Sequence, residues 1–285
     1  MTDLNDLKLD KWRGSTEPEP ARTSWVLPLV ALALIALAAA GYYFYQRRAA
    51  APPADVRAAT DQAVAQSPSA APGPSAEPGE NIDLPPLPET DPIVRELVGK
   101  LSSHPTVAAW LTTDQLLRNF TVVVETIAGG RTPSRQLTKL RPTGGFQVRE
   151  ERGRLWIDPR SYRRYDAYGD AVSGLDAQGT ARLYATLKPR IADAYRELGH
   201  PDGNLDPALR RAIVELLEVP VVEGDIALAS KSVAYEFADP RLQSLSSAQR
   251  QLLRMGPRNV RLIQAKLREI APFLGIPADS LPRPR

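Results

Sequence analysis

The chain has 285 residues, room for one or two domains, and a net charge of only +3, so it is not a polycation and its sequence pI near 9.1 does not by itself imply nucleic acid. It has no cysteine, which excludes disulfides, thiolate catalysis and cysteine-based zinc or iron–sulfur sites. Its two histidines, His104 and His200, stand far apart in the chain, which argues against a multi-histidine metal site.

A short polar tail, residues 1–24, leads into WVLPLVALALIALAAAGYYFY, residues 25–45, which carries no charge. At about 1.5 Å per residue that run spans a hydrocarbon core of roughly 30 Å. Trp25 marks one end and Tyr42, Tyr43 and Tyr45 the other, where amphipathic rings favour the interface. A single transmembrane helix is expected. The small residues from Ala38 to Gly41 imitate a signal-peptidase site, but the apolar run is long for a signal peptide and a polar tail precedes it. Lys8, Lys11, Arg13 and Arg22 on one side nearly balance Arg47, Arg48 and Arg57 on the other. The plan of tail, helix, spacer and cysteine-free domain is that of a protein of the bacterial inner membrane with its C-terminal domain in the periplasm.

Residues 46–88 are dominated by Ala, Pro, Ser and Gly and carry too little apolar surface to offset the entropy of folding. A disordered linker is expected, with a reach of roughly 35 Å. Its end, LPPLPETDP from Leu84 to Pro92, has polyproline character. That suits a stiffened approach to the first helix, or a proline-recognising partner.

Residues 89–276 have regular apolar periodicity and are expected to form one mainly α-helical domain carrying one or two small β-hairpins, followed by a tail, residues 277–285. Helices are predicted at about 91–102, 113–128, 159–175, 178–198, 207–218, 247–255 and 257–271. Asp-Pro pairs at Asp91, Asp158, Asp206 and Asp239 supply a cap and a first helical proline. The second helix, capped by Thr112 or Thr113, has the stripe Leu116, Leu117, Phe120, Val123, Val124 and Ile127. Leu198-Gly199 stops the fourth, and Pro189 within it predicts a kink. One hairpin is read in Phe146–Arg149 and Arg154–Ile157 around EERG, a second in Ile226–Leu228 and Val233–Phe237 around ASKS.

Two runs, LYATLKPRIADAYRELGHPDG and YEFADPRLQSLSSAQRQLLRMGPRNVRLIQAKLREIA, resemble a family of bacterial membrane-anchored proteins known as domain of unknown function 3014. The resemblance extends from about Leu84 to Ala271 and is most specific at Tyr235–Pro240 and Leu252–Pro257. The family has no assigned activity, so the resemblance implies an anchor-plus-domain architecture and no catalytic residues.

Asp202, Asn204 and Asp206 alternate as the first ligands of a calcium loop do, but Pro207 and Ile213 stand where that loop needs Gly and Glu. An ordinary turn and a helix cap account for them. His104 and His200 are read as loop and helix-end residues. No nucleophile elbow, P-loop or dinucleotide fingerprint is present, and Gly129-Gly130-Arg131 and Gly144-Gly145 read as turns. Glu150 and Glu151 sit at an exposed hairpin turn. No catalytic residue, metal ligand or cofactor is nominated.

The C-terminal end stands out by charge. From Arg241 to Ala271 seven cations face Glu269 alone. In the last helix Val260, Ile263, Leu267 and Ile270 form the apolar face and Arg258, Arg261 and Arg268 share another. Arg254, Arg258, Arg261 and Arg268 are the nominated binding residues, for an anionic lipid, an anionic envelope polymer, an acidic protein or nucleic acid. The competing reading is a solvated face balanced by acids from elsewhere in the fold. No aromatic residue is interleaved with the arginines, which counts against a platform for stacking single-stranded nucleic acid. The expectation is a non-enzymatic, membrane-tethered envelope domain that binds a protein or an anionic polymer. The alternatives are an envelope hydrolase, which needs a pocket of convergent carboxylates, and a cytoplasm-facing domain that binds nucleic acid or anionic lipid.

Overall fold

The computed structural model describes residues 76–231 and 234–284. The polar tail, the apolar segment 25–45 and most of the linker lie outside the described residues. Among those described, no helix is long and apolar enough to cross a membrane.

The fold begins earlier than its composition suggests. From Ala76 the chain lies as a strap along a long helix, α6 (Ala177–Glu197). The Glu77 amide donates to the Phe273 carbonyl (3.2 Å) and the Glu80 amide to Thr186 Oγ1 (2.9 Å). The Glu77 carboxylate accepts from Gln178 (2.7 Å) and faces Arg182 at 3.4 Å. Gly79 is there because the strap runs against α6 itself: a Cβ on it would come within 2.6 Å of the Ala185 carbonyl carbon. Leu84 and Leu87 then turn into the core, and Arg190 donates to the Leu84 carbonyl. Residues 76–88, expected in the linker, therefore belong to the folded domain. A sparse apolar signal suffices because α6 supplies the hydrogen-bond partners.

α1 (Asp91–Gly99), α2 (Pro105–Leu111) and α3 (Leu116–Ala128) follow. α2 was expected to be a connection. His104 starts it, its Nδ1 accepting from the Thr106 amide (3.2 Å) with Pro105 at the first helical position. The hydroxyls of Thr112 and Thr113 close α2 rather than open α3. The open amides of Gln115 and Leu116 are taken by Asp91 of α1, at 2.6 and 2.8 Å. The stripe read in the sequence is buried along α3.

β1 (Val148–Glu151) and β2 (Arg154–Ile157) form the first hairpin, β3 (Ala227–Lys231) and β4 (Ala234–Phe237) the second. The two are one sheet: β2 pairs β3, with Leu155 opposite Leu228, giving the antiparallel order β1-β2-β3-β4. Ile157, Leu228 and Phe237 share its buried face. The β4 edge is closed by side chains, since Gln243 accepts from the Phe237 amide (3.0 Å) and Arg254 donates to the Tyr235 carbonyl (3.4 Å).

The helix expected over 159–175 is two, α4 (Arg160–Arg163) and α5 (Asp166–Ser173), broken where the buried Tyr165 leaves helical geometry (φ −106°, ψ 1°). α6 continues through Pro189 and stops before Gly199. α7 (Asp206–Leu217) packs on α3; α8 (Pro240–Gln243), α9 (Ser247–Leu253) and α10 (Pro257–Ile270) complete the fold. One core runs from Leu84 to Ile276. Of the four Asp-Pro pairs, Asp158 and Asp239 accept the amides of Arg160 and Arg241, both at 2.8 Å. Asp91 and Asp206 begin their helices and reach across to other ones instead.

Candidate functional site

The four arginines nominated from the sequence all lie on α9 and α10 or at their junction, and the fold sends them to four different places. Arg254 ends α9, half-buried, its guanidinium 5.2 Å from the Phe237 ring centroid and bonded to the Tyr235 carbonyl. Burial, then the nearby Arg250, lowers its pKa below the usual arginine value. Arg258 crosses to α5, where Asp170 accepts at 2.6 Å and Asp166 stands at 3.7 Å; the bond to Asp170 raises its pKa. Arg261 pairs with Glu223, in the segment leading to β3. Arg268 donates to the Pro282 carbonyl and so holds the C-terminal tail; burial lowers its pKa. Arg241 pairs with Asp239, Arg250 holds the carbonyls of Gln243 and Leu245, and the buried Lys266 holds the Leu175 carbonyl and Glu269. The acids that the local sequence lacks come from α5 and from the segment before β3.

Beneath Arg258 is a buried polar junction between α10 and α5. Asn259, 1% exposed, donates to Asp166 (3.0 Å) and to the Met255 carbonyl (2.9 Å) and accepts from Arg258 (3.1 Å). Gly169 of α5 makes room for it: a Cβ there would lie 2.3 Å from Asn259 Oδ1. Further along α10, the buried Gln264 donates to the carbonyls of Leu216, Leu217 and Val219, the open end of α7. The polar residues of α10 are thus joints of the fold.

A different cationic region was missed in the sequence. Residues 129–147 connect α3 to β1 with a single 3₁₀ turn, Thr138–Leu140, and no other regular structure. A connection of that length is unusual in a compact domain and tends to carry function. Between Glu125 and Glu150 the chain has no carboxylate, but it has Arg131, Arg135, Lys139, Arg141 and Arg149. Arg149 pairs with Asp225 and Glu151. Arg131, Arg135, Lys139 and Arg141 are exposed, and none pairs with a carboxylate among the described residues. The loop that holds them is fastened down. Pro133, Leu137, Leu140 and Pro142 are buried, and the cations stand between them. Gly130 accepts from Ser247 Oγ and the Ala248 amide, both at 3.1 Å; Leu140 accepts from Tyr168 Oη (2.9 Å); Gly144 accepts from Arg164 (3.0 Å). A count of carboxylates per stretch, rather than of basic residues per helix, exposes this region.

A family model described as protein of unknown function (DUF3014) matches residues 116–271, more than half of the chain. The chain belongs to the DUF3014 family. No curated protein and no solved structure matches it. The DUF3014 span opens on the first residue of α3 and closes just after α10. It takes in the sheet, the C-terminal arginines and the cationic loop; the strap, α1 and α2 lie outside it.

Most other shifted groups in the DUF3014 span have structural partners, whereas Tyr162 is pushed up to about 12 by burial and the nearby Asp225. Burial, helped by a 2.7 Å bond to Asp206, raises the pKa of Tyr184, and Asp206 also holds Lys188. Burial and a 2.8 Å bond to Glu125 push Tyr195 up to about 12, and its ring stacks on His200 at 3.9 Å. Bonds from Arg160 hold Asp158 down at about 2. In the Asp202–Asp206 stretch, Asp202 accepts from the Asn204 amide and Asn204 from the Asp206 amide, two turns in succession.

Proposed function

We propose that this DUF3014 protein is a non-enzymatic binding domain tethered to the bacterial inner membrane by residues 25–45, with its C-terminal domain in the periplasm, where it holds a protein or an anionic polymer of the envelope. The uncharged, aromatic-flanked segment supports the anchor. The strap supports a defined attachment, because the chain enters the fold at a fixed place beside Phe273 and α6. One observation carries the non-enzymatic part. Most groups with displaced pKa values are occupied by a helix, a strand or a turn of the fold, whereas an active site keeps such groups for a substrate; the exception is Tyr162, raised by burial and the nearby Asp225.

Alkaline phosphatase fused after Arg285 tests the placement. Activity there, with a cytoplasm-dependent reporter silent at the same position, is expected; the reverse pattern overturns the periplasmic reading. Turnover of an envelope substrate by the purified chain, abolished by one polar substitution, overturns the non-enzymatic one.

A further inference from the structure

The cationic loop and the apolar segment belong to one chain, and the distance between them limits what the loop can meet. Residues 46–75 separate the end of the segment from the first residue of the strap. A chain of that length has a root-mean-square span of roughly 30 Å, so a domain tethered by it meets its own membrane at an effective concentration on the order of millimolar.

We infer that residues 129–147 dock the domain on the anionic phospholipid surface of the bilayer that holds residues 25–45, through Arg135, Lys139 and Arg141 with Arg131 beside them. The choice of occupant rests on the anchored reading above; the surface itself does not.

The chemistry of the loop selects this occupant. Its exposed residues besides the cations are Gly129, Ser134, Thr138, Thr143, Gly144, Gly145 and Gln147. It exposes no large apolar side chain, so it lacks the desolvated centre that a stable protein interface is built around. Phe146, its one aromatic residue, is half-buried against Tyr235, with ring centroids 6.2 Å apart, and under Arg164, so no base-stacking platform is presented. Unpaired cations and hydroxyls on a fastened backbone suit phosphate and glycerol oxygens, which ask for charge and not for shape.

The magnitude points the same way. Each lysine or arginine near an anionic bilayer multiplies partitioning about five-fold, so four give a few hundred-fold, a dissociation constant on the order of a millimolar. That is too weak to capture a freely diffusing partner. It is matched to a surface that the tether already presents at that concentration. The arginines of α10 cannot compete for this role, because binding a headgroup there means breaking the pairs with Asp170 and Glu223.

The absence of cysteine makes the test direct, since Ser134→Cys gives a unique labelling site. The full chain carrying a fluorophore at that position is reconstituted in vesicles of phosphatidylcholine, with or without added phosphatidylglycerol, containing a lipid-borne quencher. Quenching is expected with phosphatidylglycerol only. It is expected to disappear in added salt and in R135Q/K139Q/R141Q, and to persist in R258Q/R261Q. Equal quenching in the two lipids, no quenching in either, or loss in R258Q/R261Q alone overturns the inference. An alkaline carbonate wash reads the anchor separately. Chain released by the wash, but still quenched in a loop-dependent way, sinks the anchor and keeps the docking surface. Chain retained by the wash and never quenched does the opposite.

Discussion

The arginines of α9 and α10 and the cations of the α3–β1 loop carry similar local charge and have opposite fates. Arg254, Arg258, Arg261 and Arg268 are spent inside the molecule, on a strand carbonyl and a ring, on two aspartates of α5, on Glu223 and on the C-terminal tail. Arg131, Arg135, Lys139 and Arg141 stand on a loop pinned by buried Pro133, Leu137, Leu140 and Pro142 and pair with no carboxylate among the described residues. A run of basic residues therefore says little about binding until its partners across the fold are known. Charge near acids brought in by tertiary packing becomes structure, and charge held away from them stays available.

If this division is right, disturbing the α10–α5 junction costs the most. Gly169→Ala drives a Cβ into Asn259 and is expected to destabilise the chain by about 2–3 kcal/mol, overpacking outweighing the gain in helix propensity. Equilibrium urea unfolding measures it, and a change near zero means that the junction has slack. Arg254→Ala removes a carbonyl bond and the packing of its stem over Phe237, for an expected loss of about 1–2 kcal/mol. Arg258→Ala, at a more exposed pair, is expected to lose about 0.5–1 kcal/mol. A double-mutant cycle with Asp170→Ala isolates that pair, and zero coupling would return Arg258 to the list of available cations.

Acid sharpens the same contrast. Asp158, Glu197 and Asp239 are held below the usual carboxylate range by bonds from Arg160, Arg118 and Arg241. A depressed carboxylate contributes stability above its unfolded pKa and loses it as pH falls through the folded one. The thermal midpoint is therefore expected to be flat near neutrality and to fall between about pH 4 and pH 2. Asp158→Asn should make that fall shallower. An unchanged acid limb would mean that the pair with Arg160 contributes nothing. The loop gives the smallest effect: R135Q/K139Q/R141Q is expected to leave unfolding within about 0.5 kcal/mol of the parent chain.

What was legible in the sequence is what local chemistry decides. The stripe from Leu116 to Ile127 marks α3, and EERG and ASKS locate two hairpins but not their turns, since Glu150 and Glu151 lie in β1 and Ala229, Ser230 and Lys231 in β3. The cap of α3 was not legible, since Asp91 reaches it from another helix. The union of the hairpins was not either, since β2 and β3 meet across a long stretch of helix. α2 is short, with only Val107 and Trp110 buried, and leaves almost no period to read. The strap reads as linker because α6 and Phe273, far away in the sequence, take the amides of Glu77 and Glu80. The nominated arginines are placed by the sequence on one stretch of chain, but their pairing is tertiary. The cationic loop was readable by counting, and the denser run on α9 and α10 obscured it.

The central claim is that one basic region holds the fold and the other does not. The direct test compares the urea midpoints of two charge-matched variants, R254Q/R258Q/R261Q/R268Q and R131Q/R135Q/K139Q/R141Q. A clearly lowered midpoint for the first and an unchanged midpoint for the second is the predicted result. Equal midpoints, or a lower one for the loop variant, would contradict it.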